Sequence, residues 1–290
     1  MTMTKPSLLV ITLAALFAIG CPMARPRVQI SREQAKQLNL TMSGGVATDS
    51  AGSIYLTTPS TLVRYESGRN RLEDLLDEPR RDLQDVAVTS EGAVLVLGSQ
   101  DLCAYVPGHL IRLYRLPDPA FALSCDRQFA YVLTAANPGA RLLRITLTGS
   151  DKGSSQVLLA TEDRPRALCG VRGGCLVASG GNILKITDPE PSTDSASSEV
   201  TTVLLVSMQE PITSIAADQD KFIVYFATID MTYAWIQGQI IPIFPAGSRL
   251  ALSKDTLTIC SPVGQLIQIP GVAKHAQQLL KDLVKNAKRH

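Results

Sequence analysis

Gly45-Val46-Ala47-Thr48-Asp49-Ser50-Ala51-Gly52-Ser53-Ile54-Tyr55-Leu56 reads as a strand, a tight polar turn and a second strand. The turn residues Asp, Ser and Gly supply side-chain hydrogen bonds and a positive φ. The flanking apolar and β-branched residues suit strands. The phrase returns as Asp85-Val86-Ala87-Val88-Thr89-Ser90-Glu91-Gly92-Ala93-Val94-Leu95-Val96. Weaker copies begin at Ala120, Arg166, Ile212 and Arg249, each leading into a second apolar stretch around Tyr131, Leu176, Val224 and Thr258.

Taking Tyr55, Leu95, Tyr131, Leu176, Val224 and Thr258 as equivalent points gives spacings of 40, 36, 45, 48 and 34 residues. A period of about 40 residues with four short strands per unit is the pattern of propeller blades. Third and fourth strands follow in five units, for example Thr61 to Tyr65 and Arg71 to Leu76 in the first. The sixth unit has only Gln265 to Ile269 to add. Its missing outer strand is expected from Arg27 to Ser31, a clasp that closes the ring and removes an open sheet edge. The sequence therefore predicts an all-β, six-bladed β-propeller over residues 21–271, closed by an N-terminal strand.

Two segments interrupt the period. Asp188 to Glu199 is a polar loop rich in Pro and Ser. Residues 272–290 form an amphipathic helix, with Val272, Ala276, Leu279, Leu280, Leu283, Val284 and Ala287 on one stripe. Lys274, Lys281, Lys285 and Lys288 make the rest of it basic. They are candidate contacts to a partner protein or an anionic membrane surface. The competing expectation is that the helix packs on the propeller's rim.

Ahead of the repeats, Leu8 to Cys21 is an apolar run preceded by a single Lys5. It is shorter than the ~20 apolar residues a membrane-spanning helix needs, and it fits the hydrophobic region of a secretory signal peptide over residues 1–20. Ala18-Ile19-Gly20-Cys21 resembles the lipobox of bacterial lipoproteins, with Ala18 where Leu is usual. That resemblance implies cleavage before Cys21, acylation of its thiol and a membrane anchor. Plain secretion and an uncleaved anchor are the alternatives. The expected location is the bacterial periplasm or cell surface.

The net charge of +2 over 290 residues gives no case for a nucleic-acid partner. An exported chain meets an oxidising compartment, where disulfides persist. Cys169 and Cys175 flank a glycine-rich turn, one on each strand of a hairpin. If directly opposed, their β-carbons would lie about 4.5–5.5 Å apart, slightly beyond a disulfide's usual ~3.5–4.5 Å. Cys103 and Cys125 fall on neighbouring blades and form a second candidate pair, leaving Cys260 as a buried thiol.

Val46-Ala47-x-Asp49-x-x-Gly52-x-Ile54-Tyr55, echoed from Val86 to Leu95, resembles the repeat of six-bladed propellers of the NHL, gluconolactonase and streptogramin-lyase type. The resemblance covers about residues 25 to 271 and implies the fold more firmly than an activity. Those families place Asp, then Asn and Arg, soon after the second strand. Here the chain continues Leu56-Thr57-Thr58-Pro59-Ser60 and Leu97-Gly98-Ser99-Gln100-Asp101, so the metal-binding set of the enzymes does not map onto it.

Asp82, Asp85, Asp118 and Glu210 sit in or near the links that enter each blade. Converging on one channel mouth, they could hold a hard cation such as Ca²⁺, which takes six to eight oxygens; no other cofactor is implied. His109 reads as a turn residue, no G-x-S-x-G elbow is present, and Gly170, Gly173 and Gly174 lack the Lys-Ser/Thr of a phosphate loop. The expected role is a binding or scaffold subunit of a cell-envelope assembly. The alternative is an enzyme or metal-dependent ligand binder, lactonase- or lyase-like, acting at the channel mouth.

Overall fold

A computed structural model describes residues 26–37, 44–188, 200–245, 247–261 and 263–287. The apolar leader, the lipidation candidate Cys21, residues 189–199 and Lys288 lie outside the described residues. The chain opens with β1 (Arg27–Ile30) and a short α1 (Arg32–Gln37). Six four-stranded antiparallel sheets follow the chain in order. Blade one is β2 (Val46–Thr48), β3 (Ile54–Thr57), β4 (Leu62–Glu66) and β5 (Arg71–Asp74). Blade two is β6 (Leu83–Val88), β7 (Val94–Gly98), β8 (Asp101–Val106) and β9 (His109–Arg115). Blade three is β10 (Ala120–Cys125), β11 (Phe129–Ala135), β12 (Ala140–Thr146) and β13 (Ser155–Thr161). Blade four is β14 (Ala167–Val171), β15 (Gly174–Ser179), β16 (Asn182–Thr187) and β17 (Thr201–Ser207). Blade five is β18 (Ser214–Asp218), β19 (Ile223–Ala227), β20 (Thr232–Ile236) and β21 (Gln239–Phe244). Blade six is β22 (Arg249–Ser253), β23 (Thr256–Cys260) and β24 (Leu266–Pro270), with β1 as its outer strand.

The expected clasp is present. Arg27 lies opposite Gln268 and Val28 opposite Ile267. Ile30 is buried in a core with Ile54, Leu56 and Leu266, so the clasp also seals the seam between blades six and one. The sequence did not point to α1. Its start is a reciprocal cap: Gln34 N–H donates to Ser31 Oγ at 3.2 Å, and Ser31 N–H donates to Gln34 Oε1 at 2.9 Å.

The turn that set the repeat works as its residue types require. Asp49 Oδ1 accepts the N–H groups of Ala51 and Ser53 at 2.9 and 2.8 Å, and Tyr55 donates its O–H to Asp49 Oδ2 at 3.2 Å. Gly52 and Gly92 take φ of 89° and 87° at the turn position where a side chain is disfavoured. Asp126 repeats the device, accepting from Gln128 and Phe129 N–H at 2.7 Å and from Tyr131 O–H at 3.2 Å. In blade five the equivalent of Tyr55 is Tyr225, not Val224. Ala47 opposes Tyr55 and Ala216 opposes Tyr225. The turn there carries one more residue, with Phe222 at a φ of 54°.

The C-terminal helix, α2, spans Val272–Ala287. Asp255 caps its start, accepting Val272 N–H through its backbone oxygen and Ala273 N–H through Oδ1, both at 3.1 Å. Val272, Ala273 and Ala276 are buried in the core shared by blades five and six, with Leu279 and Leu280 packed against it. Further along the same stripe Leu283 and Val284 are half-exposed. The first half of the helix is thus an integral part of the propeller's packing.

Candidate functional site at the central channel

The innermost strands β2, β6, β10, β14, β18 and β22 surround a channel cavity of about 200 Å³. Alternation along each strand gives the wall small and apolar residues such as Ala47, Ala87, Ala122, Ala167, Ala216 and Ala251. Of the described residues that line it, only Asp85 and Arg249 carry charge. Both lie near the starts of their strands, at the end where the links between blades enter.

Asp85 is a structural tie. Its Oδ2 accepts Leu123 N–H of blade three at 2.8 Å, and its Oδ1 accepts Val86 N–H at 2.9 Å. Gly45 makes the room: a β-carbon there would fall 1.8 Å from Asp85 Oδ1. Burial pushes the Asp85 carboxyl up to about 6, against the opposing pull of Arg249 and the two backbone donors. Similar ties join other blades. Ser214 Oγ accepts Leu250 N–H at 2.9 Å, and Ser124 Oγ accepts Gly170 N–H at 2.7 Å. The Arg249 side chain forms no hydrogen bond or close ion pair with a described residue, but its charge acts on Asp85, and its backbone lies opposite Cys260 in the sheet. Cys125 and Cys169 also line the channel, and burial pushes both thiols up to about 12, so neither is a ready nucleophile.

The four carboxylates expected to converge do not. Asp82 accepts Ser99 N–H at 3.4 Å and lies 3.8 Å from Arg80. Asp118 pairs with Arg141 at 2.9 Å, and Glu210 is exposed in the link before blade five. Only Asp85 reaches the channel wall. Among the described residues, no three His, Cys, Asp or Glu side chains are grouped to hold a metal ion. Both Asp85 oxygens are taken by backbone donors, so these residues do not fit the oxygen cage that Ca²⁺ requires. His109 lies 3.7 Å from Asp77 in an exposed pair away from the channel.

The expected disulfides need correction. Cys103, Cys125, Cys169 and Cys175 are all thiols. Cys169 opposes Leu176, while Cys175 opposes Gly170. The two cysteines are one residue out of register, and successive residues point to opposite faces of a sheet. Cys103 sits on the third strand of blade two, opposite Val96 and Arg112, whereas Cys125 is on the innermost strand of blade three.

Lys274, Lys281 and Lys285 are exposed on α2 and share one helical stripe by their spacing. Two features escaped the sequence reading. One is Arg249, whose position at the head of an inner strand shows only once the blades are aligned. The other is the unequal protection of the rim strands, which requires knowing which strand of each unit is outermost.

The chain matches no protein-family model and no curated protein. Its fold does match solved structures. A gluconolactonase from Xanthomonas campestris superposes with a TM-score of 0.64 at 14% identity, over 86% of this chain and 95% of that one. Virginiamycin B lyase from Staphylococcus aureus superposes with a TM-score of 0.56 at 12% identity, over 85% and 98%. A chain of a nidogen–laminin complex gives 0.55 at 10% identity, over 68% and 78%. At such identities the likeness is one of fold. The chain is an all-β, six-bladed propeller with gluconolactonase and virginiamycin B lyase among its structural neighbours.

Proposed function

We propose that this protein is an exported, lipid-anchored binding module that recruits a partner chain through its rim, as a scaffold subunit of a cell-envelope assembly in the periplasm or at the cell surface. The observation that carries the reading is the unequal guarding of the outer strands. An outermost strand presents unpaired backbone N–H and C=O groups, and proteins normally protect it with charge or proline. β1 has Arg27, β5 has Arg71, Glu73 and Asp74, β9 has Arg112 and Arg115, and β21 has Pro242. β13 (SQVLLAT) and β17 (TTVLLVS) have neither, and they expose Val157, Val203 and Leu204. Two seven-residue, uncharged, apolar edges on neighbouring blades favour addition of a strand from a partner protein. The Lys stripe of α2 adds an electrostatic contact to an acidic partner or anionic lipid.

The leader supports the location. Leu8 to Gly20 followed by Cys21 has the order of a lipoprotein signal, and β1 begins a few residues later, which holds the propeller close to its anchor. The test is co-purification of the detergent-extracted protein with mass spectrometry of its N-terminal peptide. The reading expects an acylated Cys21 peptide and a stoichiometric partner; an unmodified N-terminus refutes the anchor.

A second reading is a lactonase- or lyase-like enzyme acting at the channel mouth. The named activities of two structural neighbours favour it, as does Asp85, a carboxyl that burial pushes up to about 6. Turnover of a lactone or cyclic depsipeptide that is lost in Asp85→Asn would favour this reading over the scaffold.

A further inference from the structure

We propose that the propeller lies on the bilayer through one of its two faces, the one formed by the hairpin turns after the innermost strands, with the Phe222 ring at the lipid interface. The proposal rests on the lipid-anchor reading and names the surface that the anchor brings to the membrane. Contacts between successive turns show that they share a face. Arg172 N–H of blade four donates to Gln219 Oε1 of blade five at 2.8 Å. Lys221 of blade five donates to Asp255 Oδ1 of blade six at 3.1 Å, and Ser253 Oγ of blade six donates to the Asp49 backbone oxygen of blade one at 2.6 Å.

The chain enters and leaves the propeller on this same face. β24 ends there, since Pro270 lies opposite Thr256, the first residue of β23 after the blade six turn. α2 starts two residues later, at Val272. β1 runs antiparallel to β24 and so begins where β24 ends, with Arg27 opposite Gln268. Cys21 precedes Arg27 by six positions, a stretch that reaches about 20 Å at most. An acylated Cys21 therefore holds the turn face near the bilayer, with the link face a strand's length further away.

The side chains on this face suit such a contact. Phe222 is 83% exposed, more than any other large apolar side chain among the described residues, and it holds a φ of 54° that a β-carbon disfavours. It belongs to none of the six apolar cores. Arg27, Arg172, Lys254 and Lys274 are exposed at the same end of the molecule, and none forms an ion pair among the described residues. Lys221 is taken by Asp218 and Asp255, which leaves Asp220 as the exposed acid beside Phe222. An aromatic ring at headgroup level, with Lys and Arg around it to meet lipid phosphates, is the pattern of an interfacial membrane contact. A protein could also dock on Phe222, but the bilayer is the surface that Cys21 places next to it.

The test is fluorescence quenching of the membrane-extracted protein, reconstituted into phosphatidylethanolamine–phosphatidylglycerol vesicles with brominated acyl chains. Mass spectrometry of the Cys21 peptide accompanies it. Trp235, the sole tryptophan, sets the wild-type baseline. Phe222→Trp reports the turn face. Ile229→Trp reports the link face, because Ile229 is 64% exposed in the link between β19 and β20, at the other end of the same blade. Both replacements sit on exposed positions and should keep the wild-type thermal midpoint. The expected result is strong quenching and a blue-shifted emission in Phe222→Trp, with Ile229→Trp no more quenched than the baseline. Acylated protein in which Phe222→Trp stays unquenched, or in which Ile229→Trp is quenched as much, overturns the proposal and leaves the anchor standing. The first of these outcomes would turn the face over to a protein partner. An unmodified Cys21 peptide overturns the anchor and this proposal with it.

Discussion

The carboxylate of Asp85 in blade two accepts the backbone N–H of Leu123 in blade three at 2.8 Å. The tie holds two blades together at the channel wall, at the cost of burying a charge. Burial moves the Asp85 carboxyl from its ordinary value of 3.8 up to about 6. At pH 5 the folded state holds this proton and the unfolded chain has released most of it. Stability from this group is therefore present at low pH and lost as pH rises through about 6. At about 1.36 kcal/mol per pKa unit the full effect is on the order of 3 kcal/mol. Thermal melts between pH 4.5 and 7.5 should show a falling midpoint in the wild type and a flatter profile in Asp85→Asn.

The cysteines give a second expected outcome. Protein alkylated with iodoacetamide under denaturing conditions, without reductant, should carry label on Cys103, Cys125, Cys169 and Cys175. A Cys169–Cys175 bridge would require β14 and β15 to slip by one residue, which moves every core side chain of those strands to the wrong face. An unlabelled, cross-linked peptide pair would contradict the register.

Two buried tyrosines make a matched contrast. Tyr131 donates to Asp188 at 2.8 Å and lies 3.2 Å from Asp126. The Tyr225 hydroxyl is equally buried and has no hydrogen-bond partner among the described residues. Tyr131→Phe should cost about 1 kcal/mol, because it removes a hydrogen bond to the part-buried carboxylates of Asp188 and Asp126. Tyr225→Phe should be neutral within ~0.5 kcal/mol or stabilising, because it removes an unmet donor. Urea unfolding of both variants checks the difference.

The two halves of α2 should behave differently. Ala276 is buried against the blade five–six core. Ala276→Asp should destabilise the whole propeller by roughly 3 kcal/mol or more, as a charge placed in a core does. Lys281→Glu with Lys285→Glu should leave the thermal midpoint nearly unchanged, because both side chains are exposed and neither forms an ion pair among the described residues. Deleting residues 272–290 therefore removes packing as well as a basic surface.

Much of the fold was legible because its punctuation is chemical. Asp49, Gly52 and Tyr55 each do a separate job in one turn, and their partial recurrence announced the blade: the second unit keeps Gly92 with Thr89 in place of the aspartate, and the third keeps Asp126 and Tyr131. The missing outer strand of the last unit told where β1 must go. The offset in blade five was not legible, because Phe222 supplies a positive φ that normally calls for glycine. The site was less readable. Acidic residues in successive links look convergent along a sequence, yet Asp118 turns to Arg141 and Asp82 to Ser99, both outside the channel. Hairpin register, which a sequence does not set to the residue, decided the fate of Cys169 and Cys175. Rim exposure depends on which strand is outermost and emerged only from the sheet order.

The most direct measurement is co-purification from envelope membranes of the wild type beside a Val203→Lys, Leu204→Glu variant. Both substitutions fall on the exposed edge of β17 and add charges of the kind that β1, β5 and β9 carry. The variant should keep a native melting midpoint within a few degrees and lose its stoichiometric partner. A folded variant that retains every partner of the wild type contradicts the rim as the docking surface.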